Sequence, residues 1–320
     1  MANSCKDELA ARIWRQRERY TVFLFAWASL GAVVAGSLAV GAAHRTSPFW
    51  LRDLIAWAVG AILAKAIVSF GFSHRLKLLL LGLTVAGLTG SLINHGSMGV
   101  HRWLDFGPLH INVATLLLPM LVVVLAADVL GAKFSAAVAL GVAGMLWAQP
   151  DASQASAFVA AFVILYAGRS KSMSQRLILL AGLVCAALSW IRPNPLPPIP
   201  EVEGAVGVAW HVSPLIASVA IVCLVLTAAA PMLLAGGSPN IRSAGIALST
   251  YFAITAIAPM IGAYPVPLIG AGMSAITGFW IGFGCLIAFH RKSSSVRVPQ
   301  SKNIAGRDSI AGDRRDFAII

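Results

Sequence analysis

The chain has 320 residues, of which 58% are hydrophobic and 11% are charged, and its mean hydropathy is +0.81. These values exclude a soluble enzyme and place the chain among membrane proteins that cross the bilayer many times. The formal net charge of +12 would by itself also fit a nucleic-acid-binding protein, so the positions of the basic residues have to distinguish the two classes.

Ten apolar runs with the length of a transmembrane helix follow one another along the sequence. They cover residues 21–43, 54–72, 77–93, 113–130, 133–149, 154–168, 175–191, 213–236, 241–261 and 266–289. The pattern predicts an all-α bundle of about ten transmembrane helices. The first run is long and follows a charged segment, which favours a retained signal anchor over a cleaved signal peptide.

The basic residues are concentrated in alternate connecting segments. If the N-terminus is cytoplasmic, nineteen lysines and arginines fall in cytoplasmic segments and four fall outside, at Arg45, Arg52, Arg102 and Arg192. This asymmetry predicts that both termini are cytoplasmic, with membrane lipids as a further contact of the basic segments and no nucleic-acid partner. The remaining basic residue, Lys65, lies inside a span and could extend to the cytoplasmic edge or face the bundle interior.

The chain divides into three predicted regions. Residues 1–20 form a basic cytoplasmic segment, residues 21–290 form the membrane domain, and residues 291–320 form a cytoplasmic tail. The tail is polar, basic and rich in serine and glycine, so we expect it to be disordered.

The first external segment, residues 94–112, is too polar to cross the membrane. It contains Arg102 beside Trp103, a pair that suits an anchor at the membrane surface. The planar guanidinium also suits bidentate binding of a phosphate or pyrophosphate. The histidines of the external loops do not have the spacing of a zinc site, so no metal site is predicted.

The second external segment is a short turn, residues 147–154, that contains Pro150 and Asp151. Asp151 has two interpretations. It could cap the following helix by accepting hydrogen bonds from free backbone amides, or it could lie in a cavity as a functional carboxylate.

The third external segment, residues 192–211, contains five prolines and two acidic residues, Glu201 and Glu203. The prolines predict a stiff and extended backbone. The two carboxylates are predicted to lie near the outer surface, where both a solvated face and a general base fit the sequence.

Residues 259–274 form an uncharged apolar stretch with three prolines and three glycines. Prolines remove backbone donors and glycines weaken helical order, so a regular spanning helix is not expected here. A broken backbone at membrane depth persists only where protein buries it or where it lines a wet cavity. The stretch is therefore predicted to be one wall of a functional cavity, the alternative being a kinked loop between two helices.

Three of these patterns, in this order on ten spans, resemble the SEDS family of bacterial membrane proteins, the group that includes FtsW, RodA and SpoVE. The first is Gly99-x-x-Arg102-Trp103-Leu104-x-x-Gly107, which is similar to the family's Gly-x-x-Arg-Trp loop. The second is Gln149-Pro150-Asp151, which matches its Gln-Pro-Asp turn. The third is Pro259-x-x-Gly262-x-x-Pro265-x-Pro267 with Gly272-x-Ser274, which resembles its proline-rich segment and Gly-Gly-Ser. The resemblance covers about residues 80–290.

The resemblance implies a bundle in the bacterial inner membrane that polymerises lipid II into glycan strands at the outer face, in cell division or cell shape, with a class B penicillin-binding protein as partner. In that reaction a sugar hydroxyl displaces a polyprenyl pyrophosphate, which calls for a carboxylate base and for a cation, or a divalent metal ion, at the leaving group. The candidates for the catalytic carboxylate are Glu203, Glu201 and Asp151. The candidates for substrate binding are Arg102, Trp103, Arg192, Pro265, Pro267, Gly272 and Ser274.

The chain departs from the family pattern in two places. The family carries its active aspartate in Leu-Pro-Glu-x-His-Thr-Asp-Phe, whereas residues 199–206 keep the Pro-Glu and have no aspartate after it, so Glu203 is the expected substitute. The family's Gln-Pro-Ser-Glu and following lysine are replaced by residues 112–115 and by Leu118. Three functions therefore stay open: a divergent glycan polymerase, a catalytically inactive scaffold for a transpeptidase or division proteins, and a lipid flippase or transporter.

Overall fold

The computed structural model describes residues 2–43, 49–96, 98–107, 109–167, 172–192, 194–235, 238–270 and 272–295. These residues form eleven α-helices and one β-hairpin. The helices are α1 (Ala2–Ala43), α2 (Phe49–Phe70), α3 (His74–Ile93), α4 (Val113–Ala126), α5 (Ala132–Ala148), α6 (Ala152–Tyr166), α7 (Met173–Ile191), α8 (Ala205–Val212), α9 (Pro214–Ala229), α10 (Pro239–Ile257) and α11 (Met273–Ser295). The antiparallel strands are β1 (Trp103–Phe106) and β2 (Leu109–Asn112).

The prediction of an all-α polytopic membrane fold is confirmed. Each of the ten apolar runs overlaps one helix, and seven of the described helices are long and apolar enough to cross a membrane. Helices α4, α5 and α6 are apolar but shorter. Because α4 is apolar around its whole circumference and buried along nearly its whole length, it belongs to the core of the bundle. The number of spans stays a prediction.

Helix α11 lies at the centre of the bundle, because 78% of its apolar stretch is buried, against 17% for the peripheral helix α7. Glycines let its neighbours approach closely. A Cβ atom on Gly278 would lie 2.1 Å from the carbonyl oxygen of Thr115 in α4, and one on Gly282 would lie 2.5 Å from Cβ of Pro119. Gly278 and Gly282 are four residues apart, so they form a small-residue stripe that packs on α4.

At the end of the bundle that is predicted to be cytoplasmic, polar side chains join α11 to α1. Arg291 donates two hydrogen bonds to Glu18, at 2.7 and 2.9 Å, and Nδ1 of the buried His290 lies 3.4 Å from the same carboxylate. Helix α1 is continuous from Ala2 to Ala43, so no break separates the predicted basic segment 1–20 from the membrane domain. Residues 296–320 of the predicted tail lie outside the described residues.

The structure differs from the sequence-based predictions in several places. The last span was expected from residue 266, but α11 begins at Met273, because the prolines and glycines before it keep the backbone out of helix. The third external segment contains the short helix α8, and the first contains the β-hairpin, neither of which was predicted. Lys65 is exposed on the surface of α2 rather than turned to the bundle interior.

We predict that Gly278→Ala destabilises the protein, because the new methyl group would overlap the α4 backbone and overpacking costs about 1–3 kcal/mol. Thermal unfolding of the purified protein in detergent measures the effect. Gly141→Ala is the matched control, since a Cβ atom there meets nothing within 4 Å. Equal unfolding temperatures for the two variants would contradict the close α11–α4 contact.

Candidate functional site

Arg102 and Asp151 form a buried ion pair at the end of the bundle that is predicted to be external. The Arg102 Nε atom lies 3.6 Å from Oδ2 of Asp151, and each side chain is only 4% exposed. Arg102 also donates a hydrogen bond to the carbonyl oxygen of Pro150. Its guanidinium lies 5.4 Å from the centre of the Tyr264 ring. A buried charge needs a partner, and Asp151 supplies it for Arg102; the expected role of Arg102 in substrate binding stays a prediction.

Asp151 caps a helix, as one interpretation of its sequence position predicted, and it also lines a cavity; its role as a functional carboxylate stays a prediction. Its Oδ1 atom accepts a hydrogen bond from the backbone N–H of Gln154 at 3.2 Å, so Asp151 is the N-cap of α6. Its other oxygen faces Arg102. The preceding residue, Gln149, fixes the turn to α3 by donating to the Ser91 hydroxyl at 2.7 Å. The turn is therefore a rigid corner that joins α3, α5 and α6.

Residues 261–270 and 272 belong to the predicted break in the helical bundle, since α10 is followed by a 3-10 turn that ends at Met260 and α11 begins at Met273. Protein buries residues 266–270 of this segment. The Val266 amide donates to the Val202 carbonyl at 3.0 Å, and a Cβ atom on Gly36 of α1 would lie 2.3 Å from the Ile269 carbonyl oxygen. The segment is thus wedged between α1 and the loop before α8, which is the burial that a broken backbone needs at membrane depth.

Tyr264 connects this segment to the corner at Asp151. Its ring packs against Trp190 with a centroid separation of 5.5 Å and lies in one buried cluster with Ala152 of α6. Burial, followed by the charge of Asp151, raises the pKa of Tyr264. The phenol therefore stays neutral and acts as a contact between the segment and α6.

A small cavity lies between α4, α6, α10, α11 and the broken segment. Its wall includes Asp151, Gln154, Tyr251, Thr255, Pro265 and Pro267. Tyr251 donates a hydrogen bond to the side-chain oxygen of Gln154, and both residues are buried. The sequence patterns did not predict Tyr251, Gln154 and Thr255 as site residues. The available signal was the presence of hydroxyl groups inside the apolar run of α10, where polar atoms need partners or a cavity.

The loop that carries the other candidate carboxylates packs on the broken segment rather than into the cavity. Glu203 is half-buried, and its Oε2 atom accepts a hydrogen bond from the backbone amide of Ile199 at 2.7 Å. Glu201 is also half-buried. A Cβ atom on Gly270 would lie 2.4 Å from the Val202 carbonyl oxygen, so the loop and the segment are in close contact. The structure therefore places Glu201 and Glu203 beside the segment, in a different environment from Asp151.

Arg192 directly follows α7 and contacts the turn that contains Asp151. Its guanidinium donates to the carbonyl oxygens of Trp147 at 2.8 Å and Ala148 at 3.2 Å. It also lies 5.3 Å from the centre of the Trp147 ring. These partners carry no formal charge, so unlike Arg102 the positive charge of Arg192 is not cancelled by the groups it contacts here.

Ser274 and Trp103 are held at the base of the hairpin. The Ser274 hydroxyl accepts a hydrogen bond from the Asn112 amide at 3.0 Å. Trp103 pairs with Asn112 across the hairpin, and its carbonyl accepts from the Asn94 side chain at 3.1 Å. Gly272 is exposed just before α11. Of the predicted substrate-binding residues, Pro265 and Pro267 line the cavity with Asp151. The others, Arg102, Trp103, Arg192, Gly272 and Ser274, are not among its lining residues.

The hairpin is closed by a polar cluster at its outer part. His110 contacts Asp105 across the strands, with 2.5 Å between Nδ1 and Oδ1, and the Asn94 side chain donates to the other Asp105 oxygen at 3.1 Å. The hydrogen bond from His110 holds the pKa of Asp105 below its ordinary value of 3.8. Within the described residues no three His, Cys, Asp or Glu side chains gather as a metal site requires. The divalent cation expected at the leaving group stays a prediction.

These features define the class of protein by fold: the chain has a SEDS-type membrane fold. It is similar to rod shape determining protein RodA of Thermus thermophilus, with a TM-score of 0.63 and 20% identity over 85% of this chain and 96% of that one. An aspartate-to-alanine mutant of the same RodA matches with the same TM-score and identity, over 97% of its chain. A chain from a structure of a peptidoglycan synthase complex matches with a TM-score of 0.56 and 21% identity, over 85% of this chain and 97% of that one. The sequence matches no family model and no curated protein.

We predict that Asp151→Asn destabilises the protein, because it keeps the cap of α6 but leaves the buried Arg102 charge without its carboxylate, a loss of about 3–5 kcal/mol. Asp151→Ala should be less stable by about a further 1 kcal/mol, since it also removes the cap. Thermal unfolding in detergent measures both. The double change Arg102→Met with Asp151→Asn should recover part of the loss, and additive losses would contradict the pairing.

We also predict that the hairpin loosens in acid. Because the folded pKa of Asp105 is depressed, its contribution to stability is fully present above about pH 4 and is lost as the pH falls through the lower folded value. Amide hydrogen exchange in residues 103–112 should accelerate beyond its normal pH dependence in this window. Asp105→Asn should remove the additional acceleration, and its persistence in that variant would assign the effect to another group.

Proposed function

We propose that this chain is a protein of bacterial cell-wall synthesis in the inner membrane, and that it polymerises lipid II into glycan strands at the outer face with Glu203 as general base. The observation that supports the assignment of Glu203 is the contact between its loop and the broken segment, through the Val266 amide and the Val202 carbonyl. This contact holds a carboxylate beside the segment whose other face forms the cavity wall. The fold of the RodA structures supports the wider role.

In the proposed reaction, a sugar hydroxyl of one lipid-linked disaccharide attacks the anomeric carbon of another. The hydroxyl proton passes to the Glu203 carboxylate, the new glycosidic bond forms, and the bond to the polyprenyl pyrophosphate breaks. Glu203 has to exchange its hydrogen bond from Ile199 for one from the sugar hydroxyl. This exchange is local, because the acceptor atom already lies in a half-exposed loop.

The leaving pyrophosphate needs a positive partner. We assign this role to Arg192 before Arg102, because Arg102 is buried against Asp151 whereas Arg192 contacts carbonyl oxygens at the rim. Asp151 then acts by holding the corner and the cavity wall. The peptidoglycan synthase complex among the similar structures supports a class B penicillin-binding protein as the partner, on the lipid-facing helices.

A second candidate function is a catalytically inactive scaffold for a transpeptidase or for division proteins. The observation that favours it is that Arg102, Asp151 and Arg192 all have structural partners, and that Glu203 is bonded to its own loop. The transporter alternative gains no support from the described residues.

We predict that the purified protein with its cognate transpeptidase forms glycan from lipid II, and that Glu203→Gln lowers the rate by about 100-fold or more, the usual contribution of a general base. Glu201→Gln is the matched control in the same loop and should retain most of the rate. Gel analysis of labelled glycan measures the product. No glycan from the wild type with its partner would favour the scaffold, and full activity of Glu203→Gln would exclude Glu203 as base.

A further inference from the structure

The β-hairpin has two chemically different faces. Side chains alternate along each strand, so residues that pair across the hairpin share a face. On one face Asp105 pairs with His110. The other face contains only apolar side chains, from the pairs Leu104 with Ile111 and Phe106 with Leu109. The hairpin is therefore amphipathic.

The apolar face is packed near the base of the hairpin and open at its end. A Cβ atom on Gly90 of α3 would lie 3.6 Å from Cδ2 of Leu104, so the inner part of this face packs on α3. Phe106 is 60% exposed and Leu109 is 38% exposed. These two paired residues, the hairpin tip, thus present large apolar side chains beyond the part of the face that α3 covers.

The hairpin tip continues a lipid-facing stripe of α3. This helix is long and apolar enough to cross a membrane, yet only 28% of its apolar stretch is buried. Its exposed side contains Leu79, Leu83 and Ile93, which follow the helical spacing of one stripe. Ile93 lies one turn after Gly90, the residue on which Leu104 packs. The stripe therefore ends where the apolar face of the hairpin begins.

The uncharged part of α3 is shorter than the hydrocarbon core of a typical bilayer. The first turn of the helix carries His74, Arg75 and Lys77, so this part runs from Leu78 to Ile93, a length of about 24 Å. The hydrocarbon core is about 30 Å thick, and any tilt of the helix reduces the depth that it spans. The surface just beyond Ile93 therefore lies at a depth where apolar groups are favoured.

The residue that follows Ile93 directs its polar group away from this surface. Asn94 donates its side-chain amide to the Trp103 carbonyl and to Oδ2 of Asp105, both at 3.1 Å. Its amide is thus bonded within the hairpin, on the side of the polar face. The hairpin tip supplies the apolar groups that the chain itself does not supply after Ile93.

We propose that the hairpin tip lies in the lipid interface on its side of the membrane and completes the lipid-facing surface of α3. The partner of this surface is the bilayer, whose acyl chains contact Phe106 and Leu109 while the polar face stays in water. The membrane anchor of this loop is then the tip rather than Arg102, which is buried against Asp151. This contact with lipid does not depend on the proposed polymerase activity.

Spin labels on the full chain in dioleoyl phosphatidylcholine liposomes test the contact. Phe106→Cys places a nitroxide label on the apolar face, and His110→Cys is the matched control on the polar face of the same hairpin. Collisions with oxygen, which dissolves in lipid, and with a water-soluble nickel chelate report the surroundings of the label. The ratio of oxygen to nickel accessibility should be several-fold higher at position 106 than at position 110. The background replaces the native cysteines by alanine, at Cys5, Cys185, Cys223 and Cys285.

Three results would overturn the proposal. Equally high access of the nickel chelate to both positions would place the tip in water. Low access of both reagents to position 106 would show that protein covers the tip, such as a second copy of this chain. A high ratio at both positions would place the whole hairpin in lipid and contradict its division into two faces.

A second measurement keeps the native cysteines and depends on the thickness of the bilayer. Phe106→Ser combined with Leu109→Ser should accelerate amide hydrogen exchange in residues 103–112 by about tenfold or more in dioleoyl liposomes, the factor that corresponds to losing the burial of one large apolar side chain. In dimyristoleoyl phosphatidylcholine the core is thinner and closer to the length of α3, so the same change should have little effect. Equal acceleration in both bilayers, or none in either, would contradict the role of the tip.

Discussion

The structure depends on one constraint, which is that a backbone at membrane depth must find its hydrogen-bond partners within the protein. Residues 261–270 meet it in part with partners in the loop between α7 and α8. The Val266 amide binds the Val202 carbonyl, and Asn194 donates to the Ala263 carbonyl. This loop and one wall of the cavity are therefore held by the needs of one irregular segment.

The same constraint explains the positions of the charged residues at the end of the bundle that is predicted to be external. A charge that leaves water has to be neutralised or hydrogen-bonded, and the buried pair of Arg102 and Asp151 does this across the hairpin and the α6 corner. Arg192 uses carbonyl oxygens at the end of α5 instead. The charged residues thus form two groups. Arg102 and Asp151 are buried and stabilise the fold, whereas Arg192 and Glu203 are only half-buried.

The sequence predicted the helices well, because lipid requires long apolar runs and these are visible residue by residue. It also predicted the break before α11, since proline and glycine act through the local backbone. What it did not predict depends on contacts between distant residues. The partner of Arg102 lies 49 positions along the chain, and the hydroxyl of Tyr251 finds its acceptor in α6. No spacing rule in a single sequence reports such pairs. The hairpin was missed because its strands have four residues each, which is too short for a clear alternation.

Helix α11 is joined to α1 near its C-terminal end, where Arg291 and His290 meet Glu18. Along its length it packs against α2 and α4, with glycines at the closest contacts. Helix α1 is 42 residues long, or about 63 Å, roughly twice the thickness of the hydrocarbon core. Helix α11 also lines the cavity with Phe279, so its contact with Glu18 connects this extended N-terminal helix to one wall of the cavity.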